Sequence, residues 1–196
     1  MREAVANARQ ACCNCTLQLR QLQETAMTTS ARASALASLR QILDVPADDA
    51  PAQDAQPRRT SSQRASGREA MPLSPAMAHR LIRRGVPSRS LEPLGRYFGL
   101  GKGALAEALD LDRVTAQRKV ARDEPLPTHA AESMLRLLEL DRLAQETFAS
   151  ADEAAEWLRR AHPMLDGQTP LACAKSAFGA QRAKDILVAL KYGGAV

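Results

Sequence analysis

Aromatic side chains are almost missing from this chain: one Trp, two Tyr and three Phe in 196 residues. A core must therefore be built from Leu, Ala, Val and Met, a composition that favours packed helices over sheets. Long apolar runs are missing too. No stretch of about eighteen apolar residues occurs, so no helix suited to crossing a bilayer is expected. No basic start, apolar run and small-residue cleavage site marks a signal peptide. The expectation is a cytoplasmic protein with no membrane contact.

Cysteine is scarce and poorly spaced for metal. Cys12, Cys13 and Cys15 cluster, Cys173 stands apart, and His79, His129 and His162 are scattered. A structural zinc site takes four ligands, usually in two short pairs. The second pair is absent, so these read as incidental thiols of a reducing compartment. Catalytic signatures are missing as well. The run Gly99-Leu100-Gly101-Lys102-Gly103 lacks both the phosphate-loop spacing and the preceding strand. No GxSxG, HExxH or Ca²⁺ loop occurs. Glu146, Asp152, Glu153 and Glu156 suit helix termini, where carboxylates complement the dipole. Trp157 suits a core anchor better than a cofactor stack. No catalytic residue, metal or cofactor is assigned, and an enzyme is not expected.

What is present is a charge asymmetry. Residues 80–122 hold 10 Lys/Arg against 4 Asp/Glu, net +6, while residues 1–79 hold 9 against 7 and residues 123–196 hold 8 against 11. The basic excess sits in one central segment, which points to a polyanion partner there. Before it, residues 1–45 offer two helices, about 2–23 and about 34–43. Their apolar residues Leu17, Leu19, Leu22, Leu36, Leu39, Ile42 and Leu43 are too few to bury alone. Residues 46–70, rich in Pro, Ala, Ser and Gln, cannot offset their ordering entropy and are expected to be disordered. The first 70 residues thus read as an extension, with Met27 and Met71 as candidate internal starts. A second reading makes Arg58, Arg59, Arg64 and Arg68 an arm that contacts DNA.

Ordered structure is expected from about Leu73. Ser74-Pro75 caps a helix to about Arg84, and a second runs over about 91–98, with Gly99 as its stop. Short helices over about 102–109 and 113–122 then flank Asp110-Leu111-Asp112, which is helix-turn-helix spacing. Ala106 is the small residue needed where the two helices cross, and Leu105, Leu109 and Leu111 face inward. Asp110 replaces the usual turn glycine and tolerates a left-handed backbone. Ala116 stands where a larger apolar residue is common. The second helix carries Arg113, Thr115, Gln117, Arg118, Lys119 and Arg122. Arg pairs with guanine edges and Gln with adenine edges, while Lys and Thr suit phosphates. These six are the candidate DNA-binding residues; a solvated basic face is the plainer reading.

Thr128 is an expected N-cap for a long helix to about Phe148, whose apolar set is wider than one stripe and so is buried on more than one side. It is expected to join two modules and to help form a dimer; the plainer reading, not exclusive of the first, is the core helix of a single domain. Ser150 with Glu153 makes a capping box for a helix over about 151–160. Thr169-Pro170 starts another, with Gly179 as its expected end. Ala183, Ile186, Leu187 and Leu190 form one apolar face of a last helix, closed by Gly193-Gly194.

The ordered set Trp157-Leu158, Pro163, Leu165, Gly167, Pro170-Leu171, Gly179, Leu190 and Tyr192-Gly193 resembles the toxin-binding domain of Xre/MbcA/ParS-type antitoxins. The family usually has Pro-Asn where this chain has Pro163-Met164. The helix-turn-helix resembles the Xre-type motif of the same family, with Asp112-Arg113-Val114-Thr115 at the start of its second helix. The resemblance implies an all-α protein: an N-terminal disordered extension (1–70), a helix-turn-helix domain (71–127), a connecting helix (128–150) and a toxin-binding domain (151–196). It implies an antitoxin that binds operator DNA as a homodimer, represses its own operon and neutralises a RES-domain, NAD-consuming toxin. The candidate toxin contacts are Lys191, Tyr192, Gly193, Gly194, Ala195 and Val196. The alternative is a stand-alone helix-turn-helix transcription regulator with no toxin partner.

Overall fold

The most apolar segment after residue 127 becomes the centre of the molecule. In the computed structural model, which describes residues 30–45, 70–71 and 73–193, Thr128–Thr147 forms a 20-residue helix (α6). Such a helix is about 30 Å long. Ala130, Met134, Leu137, Leu138, Leu140 and Ala144 are buried on it. They point in several directions around the axis, so α6 must be covered from several sides, as its sequence requires. Its N-cap is Pro127, with no side-chain cap bond; Thr128, the expected cap, is instead its first helical residue. Pro127 has a helix-compatible φ of −57° but an extended ψ of 148°, so the helix begins at the next residue.

Seven other described helices gather around α6 with the helix over 30–43 (α1). They are Pro75–Arg84 (α2), Leu91–Phe98 (α3), Lys102–Ala108 (α4), Arg113–Ala121 (α5), Ala151–Arg159 (α7), Pro170–Cys173 (α8) and Ala177–Tyr192 (α9). Short 3₁₀ turns at Ser88–Ser90 and Pro163–Leu165 complete the order. The fold is all-α. Among the described residues the only β pairing is an isolated bridge between Pro87 and Pro125. α2 packs on α6, and so do α7 and α9. One continuous core runs from Leu36 to Leu187.

Local signals place most of these elements. Ser74 Oγ accepts from Met77 N at 3.2 Å, and Thr169 Oγ1 from Ala172 N at 3.1 Å. At α7, Ser150 Oγ accepts from Glu153 N at 3.1 Å, the first half of the expected capping box, while the Glu153 carboxylate accepts from Ala149 N, one residue before the cap, at 3.2 Å. Trp157 is half-buried between Phe148 and His162, with ring centroids 5.9 and 6.4 Å away, a packing role.

Gly179 does not end α8. That helix stops at Cys173, and Ser176 then caps α9 by accepting from Gly179 N at 3.0 Å. Gly179 therefore lies inside the first turn of α9, where a side chain would overlap the Cys173 carbonyl oxygen. The glycine marks a close approach between helices, not a helix end. Leu190, placed by periodicity on the buried face, is 43% exposed, whereas Ala183, Ile186 and Leu187 are buried. Lys191 meets Glu146, one residue from the end of α6, so the last turn of α9 runs to the edge of its cover.

The apolar residues of α1 find partners. Leu36, Leu39, Leu43 and Val45 are buried in the common core. Arg40 donates to the Ala70 carbonyl at 2.9 Å, and Arg84 of α2 donates to the Leu43 carbonyl at 2.7 Å. Arg32 enters a buried polar cluster. It pairs with Asp141 at 3.0 Å, donates to the Ala151 carbonyl at 3.0 Å and lies 4.7 Å over the Tyr97 ring. Tyr97 donates to Asp141 at 2.6 Å, and Gln145 donates to Asp141 at 2.8 Å. Burial pushes the Tyr97 hydroxyl well above its ordinary range, with the Asp141 charge adding to the effect. This cluster joins α1, α3, α6 and the start of α7. The helix expected over about 2–23, the disorder expected over 46–70, the arginine arm at 58–68 and Cys12, Cys13 and Cys15 all involve residues outside the described ones.

Candidate functional site

α4 and α5 make the expected helix-turn-helix. Asp110 has φ 54°, so the aspartate takes the left-handed turn that glycine usually fills. Leu111 N bonds to the Ala106 carbonyl at 2.8 Å, which tightens the turn against the small residue. Leu105, Ala106, Leu109 and Leu111 are buried beneath it. Asp112 caps α5 by accepting from Thr115 N at 3.0 Å. That hydrogen bond holds the Asp112 carboxyl below its ordinary range.

α5 itself buries none of its residues. Small Ala116 is only partly buried, and a groove of about 530 Å³ lies between α5 and α3–α4, floored by Leu91, Leu105 and Ala106. The helix is held instead by its cap and by the 88–90 turn, where buried Ser88 donates to the Lys119 carbonyl at 3.0 Å. This divides the six candidate residues. Arg113, Gln117 and Arg118 are exposed, and their side chains make no hydrogen bond or ion pair among the described residues. Arg122 is exposed and lies 3.7 Å from Glu124. Thr115 is half-buried. The Lys119 side chain is only 18% exposed and pairs with Glu124 at 3.4 Å, so it is turned toward the body of the protein. Val114, not among the candidates, is 70% exposed in the first turn. Its sequence signal was only its place between Arg113 and Thr115.

At the other end, the predicted tail is partly in view. Lys191 pairs with Glu146 at 3.4 Å, which itself pairs with Arg142. Tyr192 is 78% exposed. Gly193 caps α9 with φ 71°, a left-handed conformation. Gly194, Ala195 and Val196 lie outside the described residues. Other apolar side chains of this module are exposed too: Met164 of the Pro163-Met164 pair, and Phe178 and Val188, which the sequence did not single out. Phe178 could be found only by knowing that Ser176 starts α9, because the apolar face was read from Ala183 onward.

Two family models match. The antitoxin Xre-like helix-turn-helix domain matches residues 77–139, and the antitoxin Xre/MbcA/ParS C-terminal toxin-binding domain matches residues 143–193. The chain belongs to the Xre/MbcA/ParS antitoxins. Among curated proteins no relative matches it. In this antitoxin the first match takes in all but the start of α2, then α3, α4, α5 and just over half of α6, and the second begins near the end of α6 and closes with α9. α6 therefore belongs to both, and its packing carries both surfaces on one frame. Neither matched domain is an enzyme family. No group of His, Cys, Asp and Glu suited to metal occurs among the described residues, and no described helix is long and apolar enough to cross a membrane.

Proposed function

We propose that this antitoxin has two jobs: as a dimer it binds operator DNA through α5 and represses its own operon, and it neutralises a RES-domain, NAD-consuming toxin with its C-terminal module. It has no catalytic activity of its own and works in the cytoplasm. The observation that carries the reading is the succession of the two matched domains on either side of a shared α6. The division of labour proposed is 71–127 for DNA, 128–150 as connector and 151–196 for the toxin; α1, which the 1–70 boundary would put in an extension, packs into the common core instead.

For DNA, the exposed stripe of Arg113, Gln117 and Arg118 presents donors that can pair with base edges in the major groove. Arg113→Ala and Arg118→Ala are each expected to cost about 1–3 kcal/mol of operator affinity. Lys119→Ala, whose ammonium is already paired with Glu124, is expected to cost less than either. A gel shift on the protein's own promoter checks this. Wild-type affinity in both arginine variants would sink the assignment of α5. Operator affinity is also expected to fall steeply with salt, because phosphate contacts release counterions.

For the toxin, Lys191–Val196 is the proposed inhibitory segment, with its glycines allowing close backbone approach. Deleting Tyr192–Val196 is expected to abolish rescue of cells that express a RES-domain toxin, while operator binding persists. If the truncated protein still rescues, the tail is not the inhibitor.

A further inference from the structure

Phe178 is the most exposed large apolar residue described, at 87%. The other two phenylalanines pack inward: Phe98 is buried, and Phe148 packs against the core beside Trp157. Isolated surface apolar residues are ordinary. Phe178 is not isolated. One turn further along α9, exposed Arg182 donates to the Met164 carbonyl at 2.7 Å and pairs with Asp166 at 2.8 Å. That clamp fixes the 163–166 turn beside the first turns of α9, and the Met164 side chain there is itself exposed. The Arg182 bond and charge hold the Asp166 carboxyl below its ordinary range, and Asp166 takes the left-handed backbone the turn needs.

The face continues. Phe178, Arg182, Asp185, Val188 and Tyr192 recur at helical spacing on one side of α9, while Ala180, Ala183, Ile186 and Leu187 are buried on the other. Phe178 and Tyr192 stand at its two ends, about 21 Å apart at 1.5 Å per residue. The whole face lies within the toxin-binding match at 143–193. A partner that meets the tail at Tyr192 thus has this face running directly away from it. Exposed aromatics and Met at a clamped, rigid position are the residue types that anchor protein interfaces.

We propose that the outer face of α9 ahead of the C-terminal tail, with Phe178 as anchor and Met164 on the adjoining turn, is a second contact surface for the toxin. It fits a protein partner with an apolar hollow about four helical turns from the site that takes the tail. This inference rests on the toxin-binding reading of the C-terminal module. The test uses the full chain and an inactivated RES-domain toxin, with affinity measured by calorimetry. Phe178→Ala is expected to weaken binding about thirtyfold or more, the loss typical of an interface hot spot. Met164→Ala is expected to act in the same direction and less strongly. Because both side chains are exposed, the unfolding midpoint and operator binding are expected to stay at wild-type values. If wild type binds the toxin and Phe178→Ala binds it equally well, the second surface is overturned. If Phe178→Glu lowers the mass of the free protein in light scattering and leaves toxin affinity intact, the face joins two copies of this chain and the proposal is overturned. If wild type itself fails to bind, the toxin reading falls and this proposal falls with it.

Discussion

Arg32→Ala is expected to destabilise the protein by about 3–5 kcal/mol at neutral pH, the usual cost of removing one partner from a buried ion pair. Arg32 is mostly buried and Asp141 almost wholly so. The loss would leave Asp141 with hydrogen bonds from Tyr97 and Gln145 but no countercharge. The penalty should depend on pH in a definite direction. Burial holds the Asp141 carboxyl above its ordinary 3.8, outweighing the lowering effects of Tyr97, Arg32 and Gln145. The folded state therefore binds this proton more readily than the unfolded chain. Stability contributed at this site is greatest below the ordinary carboxylate value and falls as pH rises through the window above it. Removing Arg32 takes away one lowering effect and widens that window. The Arg32→Ala penalty should thus shrink on acidification, where a protonated Asp141 leaves no bare charge to bury. Urea unfolding of both proteins at neutral and mildly acidic pH reads this out. A neutral-pH loss below about 1 kcal/mol, the range of an exposed pair, would contradict it. So would a penalty that grows as pH falls.

Gly179→Ala is the second large effect. A Cβ there would overlap the Cys173 carbonyl oxygen and sit 3.0 Å from Ser176 Oγ. The obstacle is backbone, so the 173–176 turn has to move. Overpacking of this kind costs about 1–3 kcal/mol. The same turn presents its carbonyls to Arg136, which donates to Ala174 O at 3.0 Å and to Lys175 O at 2.8 Å. Each such charged hydrogen bond is worth about 1.5–3 kcal/mol, so displacement of the turn puts more than the overpacking term at risk. Gly103→Ala is the matched control. Gly103 lies in α4 with nothing within 4 Å of the added Cβ, and it should be neutral or stabilising by roughly 0.4–1 kcal/mol. Equal midpoints for the two variants in thermal unfolding would refute the close-approach account.

Both residues lie where sequence reading had least to work with. Arg32 stood among residues judged too apolar-poor to bury by themselves. Its partner Asp141 is 109 positions away, and no local pattern connects them. Gly179 carried a true signal, the need for a residue without a side chain, but the reason was a neighbouring helix, not a terminus. Signals that act over four residues or fewer transferred well. Ser74, Ser150 and Thr169 cap the helices they precede, and Asp110 takes the left-handed turn; Thr128 is the exception, its helix being preceded by Pro127. The candidate DNA residues were legible by type and spacing. Their division was not: exposed Arg113, Gln117 and Arg118 part from paired Lys119 only when the 88–90 turn and Glu124 are placed against α5.

Sequence alone determined the all-α class, the helix-turn-helix spacing and the basic centre, because each depends on composition or on contacts within one or two helical turns; the order of the two antitoxin modules came from the family resemblance. Tertiary structure decided the rest. It brought α1 into the core through Arg32 and Asp141, moved Gly179 from a helix end to a crossing, and left Phe178 outside. Those outcomes depend on which surfaces α6 and its neighbours cover, and that coverage is set by residues far apart in the chain.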